Sequence, residues 1–109
     1  MSTTLPVACV PRLDLRAPEV TEAVAAAALV ADRTRAGILR LLVDGPTCVC
    51  EMAAALGERE NNVSNHLARL REAGLVRASR HEANARFQYY ELDVAAVRRA
   101  LAAIADVLR

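Results

Sequence analysis

The chain has no tryptophan and no lysine, and its three aromatic residues, Phe87, Tyr89 and Tyr90, fall in one short stretch. All fourteen basic side chains are therefore arginine. No apolar run approaches the roughly 20 residues needed to cross a bilayer, which excludes a transmembrane helix. The first ten residues lack a basic stretch ahead of a long apolar core, so no signal peptide is expected and the expected compartment is the cytoplasm. There is no glycine-rich phosphate loop, no acid pair and no histidine beside a nucleophile; an enzyme and an organic cofactor are not expected. The net charge of +1 rules out a strongly basic whole chain, so any nucleic-acid contact must come from a local basic face. Three cysteines cannot all pair within one chain, and thiols close in sequence point to metal or redox chemistry more than to a structural disulfide.

What remains is a chain of 109 residues, 54% hydrophobic, of a size that fits one domain and gains from a dimer partner. Residues 1–18 read as an arm, because Pro6, Pro11 and Pro18 forbid a continuous helix. Residues 19–109 read as a single domain, mainly α with a small β-hairpin and about five helices. An alanine-rich helix spans about Ala17 to Ala31. Asp32 caps a second, Arg33 to Val43, which Asp44-Gly45-Pro46 stops. A short third helix, about Cys48 to Leu56, ends at Gly57. A fourth, about Asn61 to Ala73, buries Val63, Leu67 and Leu70 and ends at Gly74. Extended runs at Leu75–Arg80 and Arg86–Leu92 then flank a polar tip containing Asn84, a hairpin pattern. In the last helix Val94, Val97, Leu101, Ile104 and Leu108 alternate spacings of three and four, a narrow seam for another helix. With Val20 and Val24 of the first helix, this seam is the expected dimer interface.

Two helices joined by a glycine turn and followed at once by a hairpin form a winged helix-turn-helix, whose second helix enters the major groove of double-stranded DNA. The outward side of that helix carries Asn61, Asn62, Ser64, Asn65, His66 and Arg69. Asparagine can pair with adenine through two hydrogen bonds, and serine can reach bases or phosphates. Between Glu58 and Arg86 six arginines face four glutamates, a mildly basic surface. Arg59 in the turn and Arg80 and Arg86 near the wing tip are placed to reach phosphate or the minor groove. A polar helix is also what any solvated helix face looks like; the order of helix, glycine turn, helix, glycine and hairpin favours the DNA reading. The three aromatics read as hairpin and core packing rather than as base-stacking groups.

The segments Ala31-Asp32-Arg33-Thr34-Arg35, Cys48-Val49-Cys50-Glu51-Met52-Ala53 and Asn62-Val63-Ser64-Asn65-His66-Leu67-Ala68-Arg69-Leu70, continuing to Gly74-Leu75-Val76, closely resemble the ArsR/SmtB family of metal-responsive repressors. The resemblance runs from about Glu19 to Leu108. It implies a homodimer that binds an imperfect inverted repeat and leaves it when the inducer binds. Two features depart from the family pattern. Arg59 and Glu60 stand where a serine usually starts the recognition helix, and the wing tip Glu82-Ala83-Asn84-Ala85 lacks the common glycine.

Cys48 and Cys50 enclose Val49 at the start of the third helix. Side chains two apart in a regular helix point about 200° apart. The thiols therefore converge only if the first turn is distorted or the pair lies ahead of the helix, and Pro46 makes an irregular entry credible. A helix N-terminus also favours thiolate, which lowers the expected thiol pKa. The resemblance implies an inducer site at Cys48 and Cys50, with Cys9 of the arm as a third ligand. Three thiolates suit arsenite or antimonite first and cadmium or lead second. The resemblance implies no zinc, nickel or cobalt site in the last helix, which has only Asp93 and Asp106 nearby and no histidine. Two other readings of the cysteines stand beside this one: a thiol-based redox or persulfide sensor on the same fold, and small buried apolar side chains.

Overall fold

The computed structural model describes residues 12–79 and 88–109. The elements run α1 (Pro18–Val30), α2 (Arg33–Val43), β1 (Thr47–Cys48), α3 (Val49–Leu56), α4 (Glu60–Glu72), β2 (Val76–Ala78), β3 (Tyr89–Leu92) and α5 (Val94–Val107). Pro18 opens α1, where a missing N–H costs nothing. Asp32 caps α2 as expected, its carboxylate accepting from the Arg35 backbone N–H at 3.0 Å. Gly57 ends α3 in the left-handed conformation at φ 65°, and the chain turns directly into α4. Asp93 caps α5 through the Ala96 N–H at 3.0 Å.

The core lies where α2, α3 and α4 meet the sheet. Ile38, Leu42, Met52, Val63, Leu67 and Leu70 are buried there, with Leu75 and, at the start of β2, Val76 closing it. The expected apolar face of α4 is thus the face the core uses. Tyr90 and Leu92 of β3 and Val97 of α5 pack against the same cluster. Among the described residues, no helix is long and apolar enough to cross a membrane.

Two expectations need correction. The expected two-stranded wing is part of a three-stranded antiparallel sheet, ordered β1-β3-β2. Its extra strand pairs Thr47 with Tyr90 and Cys48 with Tyr89. Two residues are too few to show a strand period, and only their distant partner reveals them. The α5 seam is also divided. Val97 packs on the chain's own core and Ile104 is half-buried in an apolar groove against α1 that Leu108 also lines, while Val94, Leu101 and Leu108 are exposed at 52%, 55% and 81%. Positions three apart on a helix sit about 60° apart around its axis, so one line of the seam turns inward and the other outward. In α1, Val24 is exposed and Val20 half-buried, above the buried Ala23 and Ala26.

Candidate functional site

The helix-turn-helix is built from α3 and α4. The Glu58 N–H bonds the Ala53 carbonyl at 3.0 Å, which closes the turn around Gly57. Arg59 sits at the N-cap of α4 with extended backbone and no side-chain cap. Glu60 in the first turn and Arg69 and Arg71 in the last complement the helix dipole. Opposite the buried stripe, Asn61, Ser64, Asn65 and Arg69 are exposed, as is Arg59. Asn62 is half-buried, and its amide donates to Glu58 at 2.6 Å.

His66 departs from the outward set. Its Nδ1 accepts from Arg35 Nη1 at 3.0 Å and lies 3.7 Å from Asp32 Oδ2, so the ring is turned toward the start of α2. The physical reason is its position next to the buried Leu67 stripe rather than opposite it. Asp32's carboxyl is held below its usual range, first by the Arg35 backbone N–H. Arg80, His81, Asn84, Arg86 and Phe87 lie outside the described residues, and so do the wing-tip expectations that rest on them. Two arginines counted toward the basic surface are engaged elsewhere. Arg77 pairs with Glu91 at 3.0 Å and Asp93 at 3.5 Å, and Arg71 lies over the Tyr90 ring at 5.3 Å.

The cysteine pair straddles the junction of β1 and α3. Cys48 is the last residue of β1 and the N-cap of α3, with φ −95° and ψ 165°. Because this residue is extended rather than helical, the two sulfurs meet at 3.0 Å as free thiols. Cys48 is buried, whereas Cys50 is half-buried and opens onto a cleft lined by Ala53, Ala54, Glu58 and Arg59 at the entrance to α4. The Glu51 carboxylate accepts from the Cys48 backbone N–H at 3.2 Å and from its Sγ at 3.1 Å.

The expected lowering of the Cys48 thiol is overturned. Burial, then the Cys50 hydrogen bond, push it up to about 11, and Glu51's charge adds to this. Burial and a neighbouring carboxylate outweigh the helix N-terminus, because both oppose the charged form. Glu51 is held below the usual carboxylate range, first by the thiol hydrogen bond. The Tyr89 phenol is raised by burial and then by Glu51 and the two sulfurs. The sequence expectations gave neither Glu51 nor Tyr89 a part in this site; a glutamate three residues after an N-cap was the available signal for the first. Cys9 lies outside the described residues. Among the described residues, no three metal-type side chains cluster.

A polar-faced helix seated on α2 and α3, leading through β2 into an antiparallel sheet, defines a winged-helix DNA-binding protein. Residues 32–78 match the bacterial regulatory protein, arsR family. The chain is 47% identical over 49 residues to the arsenical resistance operon repressor of Escherichia coli (strain K12), a match covering 44% of this chain and 42% of that relative. It thus spans less than half the length of that curated relative. A crystal structure described as a possible transcriptional regulator for arsenical resistance is 31% identical, with TM-score 0.59, covering 76% of this chain and 79% of that one. The AntR antimony-specific transcriptional repressor is 27% identical, with TM-score 0.64, over 97% of this chain and 95% of that one. A homodimeric winged helix-turn-helix domain from Mycobacterium bovis is 29% identical, with TM-score 0.63, over 89% and 87%. The chain belongs to the ArsR family of bacterial regulatory proteins, which are DNA-binding transcriptional regulators and not enzymes.

Proposed function

We propose that this chain is a homodimeric repressor that binds an imperfect inverted repeat through α4 and the wing, and releases it when Cys48 and Cys50 capture a thiophilic metalloid or soft metal ion. Arsenite or antimonite is the first choice of inducer and cadmium or lead the second, with Cys9 as the third thiolate. The observation that carries this reading is the 3.0 Å approach of the two sulfurs at the foot of the helix-turn-helix. Two sulfurs bound to one centre at about 2.3 Å lie about 3.3–3.8 Å apart for bond angles between a right angle and tetrahedral. The pair meets that requirement with a small outward shift. The relatives named for arsenical resistance and antimony support the ranking. Free thiols and a double-stranded DNA partner support the cytoplasm as the compartment where this repressor works. Residues 1–18 serve as the arm that carries Cys9, and residues 19–109 as the DNA-binding and dimerisation domain.

The raised Cys48 thiol suits arsenous acid. Three thiols condense with it to form three As–S bonds and three waters, with no net release of protons. A divalent ion must instead displace thiol protons. Cys48 belongs both to β1, paired with Tyr89, and to the N-cap of α3, which packs on α4. A ligand that resets the spacing of the sulfurs therefore acts on both the sheet and the support of the recognition helix. It shifts the protein only as far as the thiols hold it better in the low-affinity form. A coupling of about 1–3 kcal/mol weakens DNA binding several-fold to a hundredfold. Fluorescence anisotropy on a duplex selected by the wild-type protein tests this. The Cys48→Ser, Cys50→Ser double variant is expected to bind as wild type and to stay bound on adding arsenite. Release of that variant at wild-type arsenite, cadmium and lead concentrations would sink the reading. Release of wild type by peroxide but by none of these ions would move it to a redox switch.

A further inference from the structure

Arg35 ties three helices together. It lies in the first turn of α2, yet its side chain leaves that helix in both directions. Nε donates to the Leu29 carbonyl at 2.6 Å and Nη2 to the Ala28 carbonyl at 3.1 Å, both in the last turn of α1. These are among the carbonyls that a helix end leaves without partners, and α1 has no basic residue of its own in that turn. Nη1 reaches the other way, to His66 Nδ1 at 3.0 Å in the middle of α4. A guanidinium offers only donors, so Nδ1 is the acceptor and the ring hydrogen sits on Nε2. The base of the arrangement is rigid: Asp32 caps α2 through the Arg35 backbone N–H and stands 3.7 Å from the same ring nitrogen.

The helices joined this way do different work. α1 packs chiefly on α5, and α4 packs on α2, α3 and β2. α1 carries the exposed Val24, and α4 carries the exposed Asn61, Ser64 and Asn65. We infer that Arg35 and His66 form the joint that sets the angle between the dimerising helix α1 and the recognition helix α4, making them positioning residues for reading a two-part DNA site. The inference rests on the reading above, that α1 and α5 pair two copies and α4 enters the groove. Two recognition helices must then reach half-sites about one helical turn apart, so an error in the α1–α4 angle appears in each copy and moves both helices off register. His66 thus acts through Arg35 and not through a base.

The test uses the full chain and a duplex containing the inverted repeat that wild type selects from a random-sequence pool. Variants with the spacer changed by one base pair either way, and a single half-site, complete the set. His66→Ala is expected to remain dimeric and to melt near wild type. Its affinity for the full site should fall about tenfold, and its preference for the native spacer should flatten. Its affinity for the half-site should stay within about threefold. His66→Asn places an amide oxygen near the position of Nδ1 and should restore spacer preference. Arg35→Lys, which cannot make all three side-chain bonds, should not. A His66→Ala protein with wild-type full-site affinity and spacer preference would overturn the inference. So would an equal loss on full site and half-site, which would make His66 a direct contact. A wild-type chain that is monomeric or selects no repeat defeats the underlying reading instead, and the two failures are told apart by the wild-type lane alone.

Discussion

At Cys48 the sulfur is held as a neutral thiol by burial, by Cys50 at 3.0 Å and by the Glu51 carboxylate at 3.1 Å. Its pKa rises from an ordinary 9.0 to about 11 in the folded chain. The sign of the linkage follows. Below pH 9 both folded and unfolded chains keep the proton and the contribution to stability is full. Between about pH 9 and 11 the unfolded chain ionises first, so stability falls as pH rises through that window. Urea titrations at pH 8 and pH 10.5 are expected to show a lower midpoint at the higher pH. Cys48→Ser should show a smaller drop between the same two values. An equal drop in both proteins would place the titration elsewhere.

At the scale of elements, the turn between α3 and α4 decides how the recognition helix is presented. Gly57 holds φ 65°, and a Cβ built there meets nothing within 4 Å. Any cost of adding a side chain is therefore conformational and not steric crowding from neighbours. Gly57→Ala should lower stability by about 1–2 kcal/mol, the cost of a left-handed residue other than glycine. The denaturation midpoint should drop with an unchanged slope against denaturant. Unchanged stability would mean that the turn relaxes into another conformation at no cost. Packing adds to the turn in holding α3 against α4: Met52 and Ala53 from one and Val63, Leu67 and Leu70 from the other share one buried cluster.

For the whole molecule, the outer face is the informative surface. α5 has no buried residue although its sequence is mostly apolar. Val94, Leu101 and Leu108 stand exposed on it, and Val24 is exposed on the neighbouring α1. Apolar groups left exposed on two packed helices are what a second copy would cover. The Val24→Glu, Leu101→Glu double variant is expected to sediment as a monomer. Each monomer would then hold only one half-site, and affinity for the full repeat should fall by about a hundredfold or more. Sedimentation at the dimer mass would show that the copies meet elsewhere.

Local chemistry made much of this fold legible. Asp32 announces α2 because a carboxylate caps the first turn, Gly57 and Gly74 end α3 and α4, and the spacing of Val63, Leu67 and Leu70 marks the face that α4 buries. The Cys-Val-Cys motif and the Ser64-Asn65-His66-Leu67 stretch were enough to point to the family. Other features depend on contacts between residues far apart in the chain. β1 exists because Thr47 and Cys48 find Tyr90 and Tyr89, and that pairing keeps Cys48 extended so that the thiols can meet. The Cys48 pKa reverses the expected direction because burial is set by everything packed around the sulfur, whereas a helix N-terminus is visible locally. His66 looked like one more polar residue on a DNA-facing helix until Arg35, thirty-one positions earlier, was seen to hold it. Periodicity reports which side of an element is apolar. Only the assembled structure decides which neighbour, in this chain or another, covers it.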